Sequence, residues 1–206
     1  MIQKPQDPFI GARLGDYVIQ ELVGRGGMAR VYRGIDLHLE RPAAVKVLQI
    51  SDQPDDDRLI ERFKLEAKAI ARFEHPNIVP IYQYGENEDG TQFFIAMKLV
   101  EGSTLSKELK ANRRADDLIP PERVLEIVRD VCSALDYAHE RGIIHRDIKP
   151  SNILFEASQG DRAILTDFGL AMEADGGSTL GTAFGTPRYI SPEQAMSSQK
   201  AVPQSD

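Results

Sequence analysis

Apolar residues recur at helical spacing in two stretches of the chain and gather into short β-like runs elsewhere. Leu59, Phe63, Ala67 and Ile70 share one face of a helix that follows the acidic run 52–57, whose carboxylates complement the positive end of a helix dipole. His75-Pro76-Asn77 then ends that helix and turns the chain. Val124, Val128, Val131, Leu135 and Ala138 repeat the pattern with Leu125 and Cys132 alongside, opening on Pro120-Pro121 and stopping at Gly142. This long helix is expected to be the core element of a mainly helical second half, after a shorter helix over about 104–111.

The β-like runs have their own punctuation. Residues 17–23 and 30–35 flank Gly24-Arg25-Gly26-Gly27-Met28-Ala29 and predict a hairpin. Ala43-Ala44-Val45-Lys46-Val47-Leu48 suits a buried strand interrupted by one lysine. Residues 78–84 and 91–100 read as strands around the turn 86–90, and Ile153-Leu154-Phe155 and Ala163-Ile164-Leu165 as a small hairpin. Residues 1–16 read as a loose leader, and the Gly-, Ser- and Thr-rich stretch 169–186 as an adjustable loop.

Charge narrows the classes. In 206 residues, 32 acids against 25 bases give a formal charge of −7, which argues against nonspecific binding to nucleic acid or anionic membranes. The one cysteine, Cys132, cannot form an internal disulfide and sits in an apolar pattern, so it reads as a small core residue in a reducing interior. No apolar run of about 18 residues exists to span a membrane, and 1–16 lacks a signal-peptide core.

The chemistry concentrates in His145-Arg146-Asp147-Ile148-Lys149-Pro150-Ser151-Asn152 and in Thr166-Asp167-Phe168-Gly169. Two acids and an amide converging there suit a hard divalent cation and a hydroxyl nucleophile. The glycine cluster at 24–27 is either a plain turn or a lid whose amides meet phosphate oxygens; it is not a GxxxxGK[ST] loop. Lys46 within an apolar strand either snorkels to water or needs a partner, and Glu66 beside the first helix's apolar face is a candidate for that partner.

GRGGMARVY, AAVK, a helix glutamate, HPNIV, HRDIKPSN, DFG and GTPRYISPE in this order resemble the eukaryotic-type serine/threonine protein kinases of bacteria, over residues 17–206. The resemblance implies an α+β, bilobal fold: an N-lobe of about 17–97 with a five-strand antiparallel sheet and one helix, a hinge at 98–100, and a mainly helical C-lobe from 101. It implies transfer of the γ-phosphoryl of ATP, with Mg²⁺ or Mn²⁺, to Ser or Thr hydroxyls of a protein. By the same resemblance Gly24, Gly26 and Gly27 with Met28 to Val31 cover the phosphates. Lys46 holds the α- and β-phosphates and pairs with Glu66. Val23, Val31, Ala44 and Leu154 enclose the adenine, with Met97 as gatekeeper and Lys98, Leu99 and Val100 as hinge. Asp147 orients the acceptor hydroxyl and takes its proton, Lys149 neutralises the γ-phosphate, and Asn152 and Asp167 hold the metal. Ile70, Ile81, His145 and Phe168 form a spine, whereas His38, His75 and His139 are turn or packing residues. Arg146 before Asp147 implies control by activation-loop phosphorylation, with Ser178, Thr179 and Thr182 as acceptors and Thr186 in substrate positioning.

Four positions depart from the family pattern: Ala29 for the third glycine, Lys98 in the hinge, Met172 for a basic partner of Arg146, and Ser191 for alanine. Asp206 resembles the acid that braces the HRD backbone, so the chain reads as cut short after the SPE motif, with the C-lobe incomplete. Alternatives to an active kinase are a nucleotide-binding pseudokinase or scaffold, and an inactive fragment. The expected partners are a protein substrate and a second copy for autophosphorylation, not nucleic acid. The expected location is the cytoplasm, with a membrane tether beyond residue 206 still open.

Overall fold

The computed structural model describes residues 7–26, 29–50, 56–115, 117–168, 188–196 and 200–206. The chain divides into two compact units, Met1–Ala67 with Pro80–Leu99, and Lys68–Val79 with Val100–Asp206.

In the first unit an antiparallel sheet runs in the order β1-β2-β3-β4-β6-β5. Its strands are β1 (Arg13–Leu14), β2 (Tyr17–Arg25), β3 (Ala29–Asp36), β4 (Pro42–Leu48), β5 (Ile81–Glu86) and β6 (Phe93–Lys98). Period-2 alternation decides what each face carries. Tyr17, Ile19, Tyr32, Ala43, Val45, Val47, Phe94 and Ala96 form the buried core, with Phe9 and Tyr82 packed against it. The alternate residues of β4, Ala44 and Lys46, face the other way. Helix α1 (Asp56–Ile70) buries Phe63, Ala67 and Ile70, the face expected from their spacing.

The sheet has six strands, not five, because the supposed leader joins it. Gly11 N–H donates to Ile19 O at 2.8 Å, Ile19 N–H donates to Ala12 O at 3.0 Å, and Arg13–Leu14 pairs with β2. An otherwise open edge of backbone amides and carbonyls is satisfied this way.

The second unit contains α2 (Leu105–Ala115), α3 (Pro121–His139), the hairpin β7 (Ile153–Glu156) and β8 (Arg162–Leu165), and the short α4 (Pro192–Met196). Helix α2 runs longer than expected and packs against β7 and the 3-10 turn Pro150–Asn152. The stretch Asn77 to Val79 does more than turn the chain. Leu165 N–H donates to Asn77 O at 2.8 Å, Val79 N–H donates to Leu165 O at 3.0 Å, and the Asn77 side chain donates to Ala163 O at 2.8 Å. The other side of β8 meets α3, where Asp130 accepts from Ala163 N–H at 2.9 Å.

Helix α3 corrects one expectation. Ile127, Ala134, Leu135 and Ala138 are buried, but Val124, Leu125 and Val128 are 43%, 64% and 50% exposed, and Cys132 is exposed too. The helix is apolar on more than one side, and β8 covers only one of them.

Candidate active site

The stretch His145 to Asn152 lies in the second unit between α3 and β7. Asp147 is the centre of a small polar cluster. Lys149 Nζ donates to Asp147 Oδ2 at 2.6 Å, and Asn152 Nδ2 donates to the same oxygen at 3.0 Å and to Asp147 O at 2.9 Å. Asn152 is buried, so its amide is held by bonds on both sides: its own N–H donates to Lys149 O at 2.9 Å, and Thr166 N–H donates to Asn152 O at 3.0 Å. The last bond matters for Asp167. Pairing of Ile153 with Leu165 brings the two hairpin ends together, so Asp167 leaves β8 beside Asn152.

Backbone conformation is unusual at two of these positions. Arg146 and Asp167 have φ of 67° and 57°, a region that non-glycine residues rarely adopt. Such a conformation persists only where neighbours hold it, and at Arg146 those neighbours are visible. Asp206 accepts from Arg146 N–H at 2.6 Å and from His145 N–H at 2.7 Å. Gln194 Nε2 donates to Arg146 O at 3.1 Å. Asp206 also meets His139 Nε2 at 2.8 Å, and its side chain is 1% exposed. The acid expected to brace the HRD backbone does so, and His139 joins it.

His145 is fully buried. Its Nε2 lies 3.1 Å from Thr166 O, so that nitrogen donates, and Nδ1 then accepts from Asp147 N–H at 3.2 Å. Burial pushes the imidazole below its ordinary value, in agreement with that neutral arrangement. The ring packs at a tilt against Phe168 with centroids 4.4 Å apart, and Phe73 packs edge-on against Phe168 at 5.8 Å. The role expected for His145 is packing, and its geometry agrees.

The first unit collects a second set. Gly24 pairs with Val31, Val31 with Lys46, and Lys46 with Ile95; Ala44 pairs with Met97. Directly paired residues share a sheet face, so Gly24, Val31, Ala44, Lys46 and Met97 line the face opposite the core. Val23 stands at a register irregularity and is 57% exposed. Lys98 N–H donates to Pro80 O at 2.9 Å. Val100 and Leu154 belong to the second unit, both half-buried, Leu154 bridged to Thr104. Gly27, Met28, Met172, Ser178, Thr179, Thr182 and Thr186 lie outside the described residues, as does the Glu66 side chain.

Two contributors were not read from the sequence. Gln194 is buried, accepts from Ser191 N–H and Oγ at 3.1 and 3.0 Å, and reaches the Arg146 carbonyl. Ser205 donates its hydroxyl to Glu193, and that bond pulls the Glu193 carboxyl below its ordinary value. A lone amide or hydroxyl carries no periodicity or motif that would mark it.

For a divalent cation, Asn152 offers its Oδ1, because its Nδ2 is spent on Asp147, and Asp167 follows β8 nearby. Among the described residues no three His, Cys, Asp or Glu converge. Two oxygen donors with the rest from phosphate and water is the usual arrangement for Mg²⁺, so the residues present fit.

A curled antiparallel sheet with one helix, and a second unit carrying this loop, define a protein-kinase fold. The protein kinase domain family matches residues 17–206, and the chain belongs to that family. It is 40% identical over 204 residues to the serine/threonine-protein kinase PknL of Mycobacterium tuberculosis, covering 98% of this chain and 49% of that protein. It is 42% identical over 191 residues to PknH of Mycobacterium bovis, covering 92% of this chain and 30% of that protein. The chain thus spans at most about half the length of these relatives. Among solved structures, the kinase domain of M. tuberculosis PknI superposes with a TM-score of 0.71 at 30% identity, over 91% of this chain and 66% of that one. No helix among the described residues is long and apolar enough to cross a membrane.

Proposed function

We propose that this chain is the catalytic part of a serine/threonine protein kinase that transfers the γ-phosphoryl of ATP to protein hydroxyls. The observation that carries the reading is the Asp147–Lys149–Asn152 cluster on a braced loop. Both donors to the Asp147 carboxylate converge on Oδ2, which leaves Oδ1 to orient an acceptor hydroxyl and take its proton. Lys149, half-buried beside it, neutralises charge on the phosphoryl as it transfers. Gly24, Gly26, Gly27 and Val31 cover the phosphates, Lys46 with Glu66 holds them, and Val23, Ala44, Met97, Lys98, Val100 and Leu154 are the residues assigned to adenine recognition. Mg²⁺, or Mn²⁺ in its place, would be held by Asn152 and Asp167 and would offset phosphate charge. The substrate is a protein Ser or Thr, and the work is done in the ATP-rich cytoplasm. Arg146 supports control by phosphate on Ser178, Thr179 or Thr182, with Thr186 assigned to substrate positioning, through a second copy of the chain.

The test is phosphorylation of a Ser/Thr peptide by the complete gene product and by its Asp147→Asn variant. Loss of a positioned general base costs about 10²–10⁴-fold in rate, so a drop of that order is expected with nucleotide binding retained. Equal, background-level transfer by both proteins would sink the reading, and nucleotide binding without turnover in the wild type would make the protein a scaffold.

A further inference from the structure

The glycine-rich hairpin has one firm strand and one loose one. Strand β3 pairs with β4 without a break from Ala29–Leu48 to Ile35–Pro42. Its pairing with β2 shifts register between Leu22 and Gly24, and only Gly24–Val31 and Arg25–Arg30 follow before the turn, where Gly26 N–H donates to Ala29 O at 2.8 Å. The last pair sets two guanidinium side chains opposite each other, and like charges directly opposite repel. The mouth of the hairpin therefore needs help from elsewhere.

That help comes from the segment before the sheet. Asp7 Oδ2 accepts from Arg30 NH1 at 3.1 Å, and Tyr32 OH donates to Asp7 Oδ1 at 3.0 Å. Phe9 N–H also donates to Asp7 Oδ1 at 3.2 Å, and the Phe9 ring lies 5.6 Å from that of Tyr32. The Asp7 side chain is 11% exposed and Tyr32 is wholly buried, so these bonds are shielded from water. The same segment is tied to β2 by Gly11 and Ala12, bonded to Ile19. It spans both strands of the hairpin. Arg30 and Tyr32 lie on one face of β3, and Val31 lies on the other.

We propose that residues 7–12 clamp the glycine-rich hairpin from behind, with Asp7 as a positioning residue that sets the hairpin for the nucleotide phosphates. The inference rests on the phosphotransfer reading above. Asp7 neutralises Arg30 on the core face of the sheet, so the Arg25–Arg30 pair no longer forces the mouth apart. It also gives the buried Tyr32 hydroxyl its acceptor. Asp7 touches no reacting atom, so it acts on the affinity for nucleotide and leaves the transfer step alone.

The experiment compares the complete gene product with Asp7→Asn, Asp7→Glu, Tyr32→Phe and, as a control that removes a carboxylate from the turn between β1 and β2, Asp16→Asn. Asp7→Asn should raise KM for Mg·ATP and the Kd for a fluorescent N-methylanthraniloyl ATP about three- to tenfold, a fraction of what a charged hydrogen bond contributes. Its kcat and its KM for the peptide should stay within about twofold, as expected for an interaction that only binds ground state and transition state alike. Asp7→Glu should recover most of the loss, Tyr32→Phe should show a smaller one, and Asp16→Asn none. Amide hydrogen exchange supplies a readout free of nucleotide: Gly24, Arg25 and Ala29 to Val31 should exchange faster in Asp7→Asn. Unchanged exchange there, or an unmoved Kd in Asp7→Asn beside a wild type that binds, overturns the clamp alone. A fall in kcat with melting temperature at constant KM makes Asp7 merely structural and overturns it as well. A wild type that binds no nucleotide overturns both readings.

Discussion

His145 is neutral in the folded protein because each ring nitrogen already has a fixed task. Nε2 donates to Thr166 O and Nδ1 accepts from Asp147 N–H, and burial further disfavours the cation. A second proton would have to sit on Nδ1 and face an N–H donor. The sign of the pH effect follows. The unfolded chain binds that proton near pH 6.5, whereas the folded chain binds it only at lower pH. The contribution of His145 to stability is complete above about pH 6.5 and is lost as the pH falls below it. The melting temperature should therefore decline between pH 7 and pH 5.5, and the slope should be shallower in His145→Asn. Some slope should remain, because burial also lowers the His75 imidazole. A parallel pair of profiles would show that His145 titrates as it does in the unfolded chain.

At the scale of elements, the sequence showed what is local and hid what is reciprocal. The β2–β3 hairpin, α1 and the β7–β8 hairpin were legible because each is fixed by its own periodicity and turn residues. The Asp147, Lys149 and Asn152 grouping was legible because eight consecutive residues carry it. The ordered segment 7–14 was not, since Asp7 looks like any solvated acid until Arg30 and Tyr32 are folded against it. The same holds for Gln194 and for the bonds of Asn77 to β8. Gly102 belongs with these. A Cβ at Gly102 would overlap the Phe155 carbonyl oxygen, because the chain entering α2 runs hard against β7 there. Phe155 N–H donates to Ser103 O at 2.9 Å, and Ala157 N–H donates to Glu101 O at 3.1 Å, so neither strand of backbone can retreat. Gly102→Ala should cost about 1–3 kcal/mol, the usual penalty of overpacking, measured by urea unfolding of the purified protein. A change within experimental error would mean that the connection is looser than these bonds imply.

At the scale of the molecule, α3 carries more apolar surface than its neighbours use. Ile127, Ala134, Leu135 and Ala138 are buried, while Val124, Leu125, Val128 and Cys132 form an exposed stripe at i, i+1, i+4 and i+8 spacing. The helical period was correctly legible, but period alone cannot say how many sides of a helix are covered, and an all-round apolar helix is normally buried. An uncovered stripe of this kind is a site of association in water. The 206-residue polypeptide should therefore self-associate as its concentration rises, in sedimentation-velocity runs. Leu125→Lys with Val128→Lys places two cations in the middle of the stripe. Both positions are half-exposed or more, so the substitutions leave the buried face and the Asp130–Ala163 bond untouched. The double variant should sediment as a monomer and melt within a few degrees of the parent, because exposed substitutions shift stability by only about 0.5 kcal/mol. Association that persists unchanged in the double variant would place the contact elsewhere on the surface. A large loss of melting temperature would instead mean that the stripe packs against part of this chain in solution.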